Sequence, residues 1–232
     1  MHTPFDQAVL FKTPFFAGLE TPDRDFILAR SVVLDVAKDT VLFHQGDPAD
    51  CFFAVIQGAV KVYRGNPSGG ETVLDVFKAG KTFADAALFM DGTYPATAQV
   101  IERARLCRIG RSAIEQAGER NPAVFMAVIS SISGHLRHVA LDLEQMKALT
   151  GKQRLARFLA SLCGDGAQRD GNGGYQVRLP FDKSLLAARL GVRPESLSRY
   201  LADLKKAGVQ VSGRSVSIRN LPDLMAIAEP RR

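Results

Sequence analysis

Residues 182–206, DKSLLAARLGVRPESLSRYLADLKK, constrain the fold more than any other stretch, because two short helices pinned by a tight turn pack in few ways. Asp182 is a side-chain N-cap, Leu185, Leu186 and Leu190 recur at helical spacing, and Gly191 supplies the backbone freedom to stop the helix. Pro194 opens a second helix, where its fixed φ suits the first turn and its missing N–H is harmless. Helix, glycine-containing turn and helix in this length is the helix-turn-helix pattern, whose second helix enters the major groove. A helical hairpin buried in a core would show the same spacing, so the flanking sequence has to decide.

The flanks favour DNA. A basic amphipathic helix, KQRLARFLASLCG, carries Leu155, Phe158, Leu159 and Leu162 on its apolar side, and residues 165–174 read as a surface loop. Tyr175 to Phe181 alternates as a strand, and Val209 to Ile218 reads as a hairpin turning near Gly213 and Arg214, a wing. Residues 151–232 hold 15 Lys and Arg against 7 Asp and Glu, whereas residues 1–150 hold 15 against 17. A basic unit joined to a nearly neutral one suggests that the basic one meets polyanion. On the second helix Glu195 and Arg199 share a face with Ser198 beside them. Arg can donate two bonds to guanine, Glu accepts from an exocyclic amine, and Ser bonds a base or a phosphate. Leu197, Leu201 and Leu204 point inward, and Lys183, Arg189, Arg193, Lys205, Lys206 and Arg214 are the candidates for phosphate contacts.

Upstream, short β-type runs follow one another: VVLDV, TVLFH, CFFAVI, AVKVYR, TVLDVF, TAQVI and ARLCRI. The stretches QGDPAD, QGAV at Gly58, NPSGGE and KAGKTF place Gly or Pro where reversals are expected, so residues 1–121 are expected to form an antiparallel roll or barrel. Residues 122–149 open with Pro122 and put Ile129, Ile132, Leu136, Val139, Leu143 and Met146 at alternating spacings of three and four, a seam for a second identical helix. Such a stripe could instead cover the roll of the same chain, but Gly134 and its serine neighbours would let a partner approach closely, which favours a parallel homodimer. The DNA-binding part then spans residues 150–232, and the expected class is α+β.

Cys51, Cys107 and Cys163 follow no metal or disulfide spacing and read as buried apolar residues. No apolar run approaches the roughly 18 residues of a membrane span and the N-terminus lacks signal-peptide order, so a cytoplasmic protein without membrane partners is expected. Neither a nucleophile at motif spacing nor a P-loop is present, which argues against an enzyme.

The glycine spacing of the roll, followed by a long helix and a winged helix-turn-helix, resembles the Crp/Fnr family of bacterial transcription regulators over nearly the whole chain. The family's Glu-x-x-Ser-Arg pattern, here Glu195 to Arg199, is similar to that of the Fnr and DNR-like branch; Pro194 stands where the cyclic-AMP branch has an additional Arg. The resemblance implies half-sites close to TTGAT, with Arg199 on guanine and Glu195 on the complementary strand, and RNA polymerase as a partner. It also implies an effector pocket around Phe83, Ala84, Asp85, Ala96 and Thr97, with Asp85 where the family's ribose-binding Glu would be and Thr97 matching its phosphate-binding Ser. No Arg stands between Lys81 and Arg103, which argues against cyclic AMP, and the scattered cysteines argue against an iron–sulfur cluster. The run FADAALFMDGTYPATAQV is similar to the DNR-type, nitric-oxide-responsive regulators, which makes haem a candidate cofactor. Of the possible axial ligands, His2 lies in an expected frayed terminus and His44 at a strand end, while His135 and His138 lie one turn apart on the long helix. The alternatives are a cyclic-nucleotide-binding regulatory subunit of an enzyme, a cyclic-AMP-responsive regulator and a haem-carrying redox protein.

Overall fold

The computed structural model describes residues 2–66, 70–164, 168–169 and 173–229. Residues 67–69 of the NPSGGE turn, and 165–167 and 170–172 of the expected surface loop, lie outside the described residues. The chain divides into two compact units, 1–138 and 139–232.

The first unit opens with helices α1 (Pro4–Leu10), α2 (Pro14–Ala17) and α3 (Thr21–Leu28), each with a proline in its first turn. Strands β1 (Val32–Val36), β2 (Val41–Phe43), β3 (Cys51–Gly65), β4 (Glu71–Lys78), β5 (Thr82–Phe83) and β6 (Thr97–Gly110) follow, then α4 (Arg111–Arg120) and the long α5 (Ala123–Ala148). The sheet is antiparallel in the order β1-β6-β3-β4, with β2 on β6 and β5 on β3.

The expected reversal at Gly58 does not occur. CFFAVI and AVKVYR are one strand, β3, which pairs with β6 on both sides of Gly58 through shifts of register. Gly58 sits at φ +83, and a Cβ there would lie 2.3 Å from the Arg103 carbonyl oxygen, so glycine marks a bulge that bends the strand. TAQVI and ARLCRI likewise join into β6.

The period-two alternation of β3 separates two cores. Phe52, Ala54 and Ile56 pack with Leu10, Phe15, Phe16 and Ile27 of the helices and with Val124, Ala127 and Val128 of α5. Phe53 and Val55 face the roll interior with Phe43, Phe83, Tyr94 and Leu106, and the register shifts around Gly58 bring Val60 to the same side. Asp6, buried in the capping box of α1, accepts hydrogen bonds from Arg105 of β6 at 2.8 and 2.9 Å, which fastens the first helix to the roll. The N-terminus is not frayed at His2: its Nε2 lies 3.1 Å from the Leu28 carbonyl oxygen.

One side of α5 buries Val124, Ala127, Val128 and Ser131. Ile132, expected in the seam, packs instead against the helix-side core of its own chain. The remaining seam residues Ile129, Leu136, Val139, Leu143 and Met146 are exposed, as is Met126, the next in the same stripe. Contrary to expectation, α5 is long and apolar enough in composition to cross a membrane, although its Val124 side belongs to a protein core.

The second unit contains α6 (Gly151–Ser161), β7 (Gln168–Arg169), β8 (Tyr175–Arg178), α7 (Lys183–Arg189), α8 (Pro194–Leu204), β9 (Val209–Ser212), β10 (Ser215–Ile218) and α9 (Leu221–Ala228). Its antiparallel sheet has the order β7-β8-β10-β9. The strand expected to reach Phe181 ends at Arg178, ahead of Pro180, and Phe181 packs on Phe158 with centroids 5.9 Å apart. The α+β class, with roll, long helix and winged helix-turn-helix in order, is the observed one.

Candidate functional site

The helix-turn-helix is built by local rules. The Asp182 carboxylate accepts from the Leu185 N–H at 2.9 Å and starts α7. Gly191, at φ +62, turns the chain, and the Val192 N–H donates to the Ala187 carbonyl at 3.0 Å. Pro194 then begins α8, whose Leu197, Leu201 and Leu204 are buried while Glu195, Ser198 and Arg199 are exposed. The three expected base readers therefore project from the face opposite the leucines. The Ser198 hydroxyl donates to the Pro194 carbonyl at 3.0 Å, so it meets a base as an acceptor. The Arg199 guanidinium carbon lies 5.7 Å from the centroid of the Tyr200 ring.

Among the expected phosphate contacts, Lys183, Arg193, Lys205 and Lys206 are exposed, whereas Arg189 and Arg214 are half-buried. Arg214 has a structural duty as well, since its Nε donates to the Leu179 carbonyl at 3.0 Å and closes the base of the wing. Gln176, Gln210, Ser212, Ser215 and Ser217 line an open groove on the wing sheet, with Lys205 at its edge. Amides and hydroxyls of this kind suit a phosphate backbone.

In the roll the cassette residues Phe83, Ala84 and Tyr94 join the interior core. Phe83 stacks on Phe53 at 5.3 Å, Phe43 on Tyr94 at 3.7 Å, and Phe83 also meets Phe77 at 5.3 Å, so aromatic rings occupy the interior. Ala96 is buried, and Thr97 accepts from the Gln45 N–H at 3.0 Å. Asp85 is buried and engaged within its own unit. Its carboxylate accepts from Ser131 of α5 at 2.7 Å and from Thr82 at 3.4 Å, and lies 3.4 Å from the His135 Nδ1. Burial raises the pKa of Asp85, but the hydrogen bond and charge of His135 and the Ser131 hydroxyl outweigh it and leave the carboxyl below its usual range. His135 is raised, first by its hydrogen bond to Asp85.

Two contributors escaped the sequence reading. Ser131 and Asp85 are 46 residues apart, a pairing that no motif announces. Arg64 of β3 donates through Nε to the Pro95 carbonyl at 2.7 Å, so a guanidinium does reach the cassette, from a neighbouring strand rather than from within residues 81–103. By contrast, Thr3-Pro4-Phe5-Asp6 is a legible capping signature that foretells the Asp6 site.

The residues present do not fit haem. The interior is filled by rings, and His135, the histidine beside the cassette, is paired with Asp85. His44 is exposed at the end of β2, and His2 is bonded near Leu28. The three cysteines are buried and unpaired, and burial pushes the Cys107 thiol up to about 12. Among the described residues, no three His, Cys, Asp or Glu side chains are grouped to hold a metal ion.

Comparison with known proteins agrees with this layout. The cyclic nucleotide-binding domain matches residues 33–121, and the Crp-like helix-turn-helix domain matches residues 153–227. A Ruegeria pomeroyi protein of solved structure is 32% identical, covers 100% of both chains and superposes with a TM-score of 0.71. DNR from Pseudomonas aeruginosa is 30% identical, covering 95% of this chain and 96% of its own, with a TM-score of 0.51. The transcriptional activator protein Anr of the same organism is 28% identical over 196 residues, 82% of this chain and 78% of Anr.

Proposed function

The chain belongs to the Crp/Fnr family of DNA-binding transcription regulators, and from that premise we propose that it acts as a homodimer on an inverted repeat of TTGAT-like half-sites. The observation that carries this reading is the exposed face of α8, where Glu195, Ser198 and Arg199 stand opposite a buried leucine row. Arg199 donates to guanine O6 and N7, Glu195 accepts from an exocyclic amine on the complementary strand, and Ser198 accepts beside them. Lys183, Arg193, Lys205 and Lys206 hold the phosphates on either side, with Arg189 and Arg214 contributing at the edges. The exposed stripe of α5 packs on its twin and places the two recognition helices about 34 Å apart. The reader of the assembled complex is RNA polymerase, as the family resemblance implies.

Control acts where the cassette meets α5. An effector in the roll that favours one arrangement of Asp85, Ser131 and His135 shifts the helix, and with it DNA affinity, by its differential binding to the two states. Because the residues do not fit haem, no step passes through it. One observation favours a second reading, a cyclic-AMP-responsive regulator: Arg64 brings a guanidinium to the cassette. Calorimetry with cyclic AMP and cyclic GMP separates the two, and micromolar binding of either supports the second.

Selection of bound sites from random DNA tests the main reading. The expected product is an inverted repeat with guanine at a fixed place in each half. Arg199→Ala should cost about 1–3 kcal/mol at that guanine and relax the preference there. A variant that keeps the wild-type ratio between guanine and its substitutes removes Arg199 from base reading.

A further inference from the structure

We propose that Arg154 is a positioning residue that locks the helix-turn-helix to the end of the long helix and so sets the half-site spacing the dimer accepts. This rests on the dimeric DNA-binding reading above. Helix α5 ends at Ala148 and α6 begins at Gly151, leaving a joint of Leu149 and Thr150. Leu149 is buried, and Thr150 forms a capping box with Gln153, so the entry into α6 is fixed on one side.

Arg154 fixes the other side. From the first turn of α6 its Nη1 donates to the Leu149 carbonyl at 2.7 Å and to the Met146 carbonyl at 3.4 Å, while its Nε donates to the Leu190 carbonyl at 3.1 Å. Those acceptors are the end of α5 and the C-cap of α7, where carbonyls have no partner within the helix and a cation is favoured by both dipoles. One planar fork therefore bridges three helices, a geometry that the point charge of lysine cannot reproduce.

Two further contacts run through the same place. A Cβ on Gly191, in the turn between α7 and α8, would lie 3.1 Å from the Met146 Cε, so the turn rests against the last side chain of the stripe. Lys152 Nζ lies 3.5 Å from the Asp203 carboxylate and ties α6 to α8. The recognition helix thus cannot swivel about the joint without breaking the bonds of Arg154. A dimer built this way tolerates little change in spacing, because each added base pair moves a half-site by about 3.4 Å and turns it by about 34°.

The test measures binding of the full-length protein to inverted repeats whose spacers differ by one or two base pairs, alongside a single half-site and a thermal melt. Wild type should favour one spacing by at least about tenfold. Arg154→Gln and Arg154→Lys should both flatten that preference to about threefold or less while single half-site binding stays within about threefold of wild type. A folded variant with the wild-type spacing profile overturns the proposal. If both variants lose the cooperative melt of the DNA-binding unit, Arg154 holds the fold rather than the spacing, and the proposal also falls. If wild type itself shows no preference for inverted repeats, the failure lies in the dimeric reading and not in Arg154.

Discussion

Ala84 holds φ +66, a left-handed backbone that suits glycine, immediately before the buried Asp85. Its Cβ makes that conformation costly, and the surrounding bonds of Asp85 maintain it. Ala84→Gly should therefore raise stability by about 0.5–1 kcal/mol in denaturant unfolding, the relief of strain exceeding the added freedom of the unfolded chain. A lower midpoint would show that the backbone is unstrained there. The pair beside it has a pH signature. His135, with its pKa raised from the ordinary 6.5, contributes fully below that value and loses its contribution as pH climbs through the raised one. Asp85, with its pKa lowered, contributes above the ordinary 3.8 and fails as pH falls through its lowered value. The stability difference between wild type and His135→Gln should be largest between about pH 4 and 6.5 and shrink in alkali. Asp75 and Lys81 also act on His135, with opposite sign, so they shift the midpoint without reversing the trend. A difference that stays flat with pH removes the ion pair as its cause.

At the scale of elements, α5 is two things in sequence: a core helix up to Ile132 and, from Leu136 to Met146, a helix whose apolar side chains are exposed. Leu136→Glu places a charge in the proposed seam without touching the roll core. It should give a monomer by sedimentation with the roll still folded, and a variant that remains dimeric moves the interface elsewhere. The seven-residue rhythm that suggested this helix was legible because it is local, whereas the placing of Ile132 in its own chain's core depended on helices around Phe15 and Phe16 that precede it by more than a hundred residues. The strands teach the same lesson. Alternation told which side chains of CFFAVI face which way, yet the glycine at position 58 reads alike as a turn or a bulge until the Arg103 carbonyl is beside it. The helix-turn-helix was readable almost to the residue, since its caps, glycine and proline act within four positions. The cassette was not, since Asp85 is satisfied by Ser131 and His135, which are distant in sequence.

For the whole molecule, the net positive charge lies in residues 151–232, and its effect is measurable as counterion release. Six candidate cations per chain set an upper limit near −11 for the slope of log K against log salt in the dimer, and Lys206→Ala should reduce its magnitude by about 2. An unchanged slope would place Lys206 away from the phosphates. An apolar stripe left exposed along α5 gains little stability from its own chain, so in the proposed dimer the burial of that stripe and the meeting of two chains are one mass-action event. Below the dissociation constant, the population competent for DNA grows with the square of chain concentration. Promoter occupancy then answers to the rate of synthesis of the protein as a threshold rather than in proportion, before any effector is present.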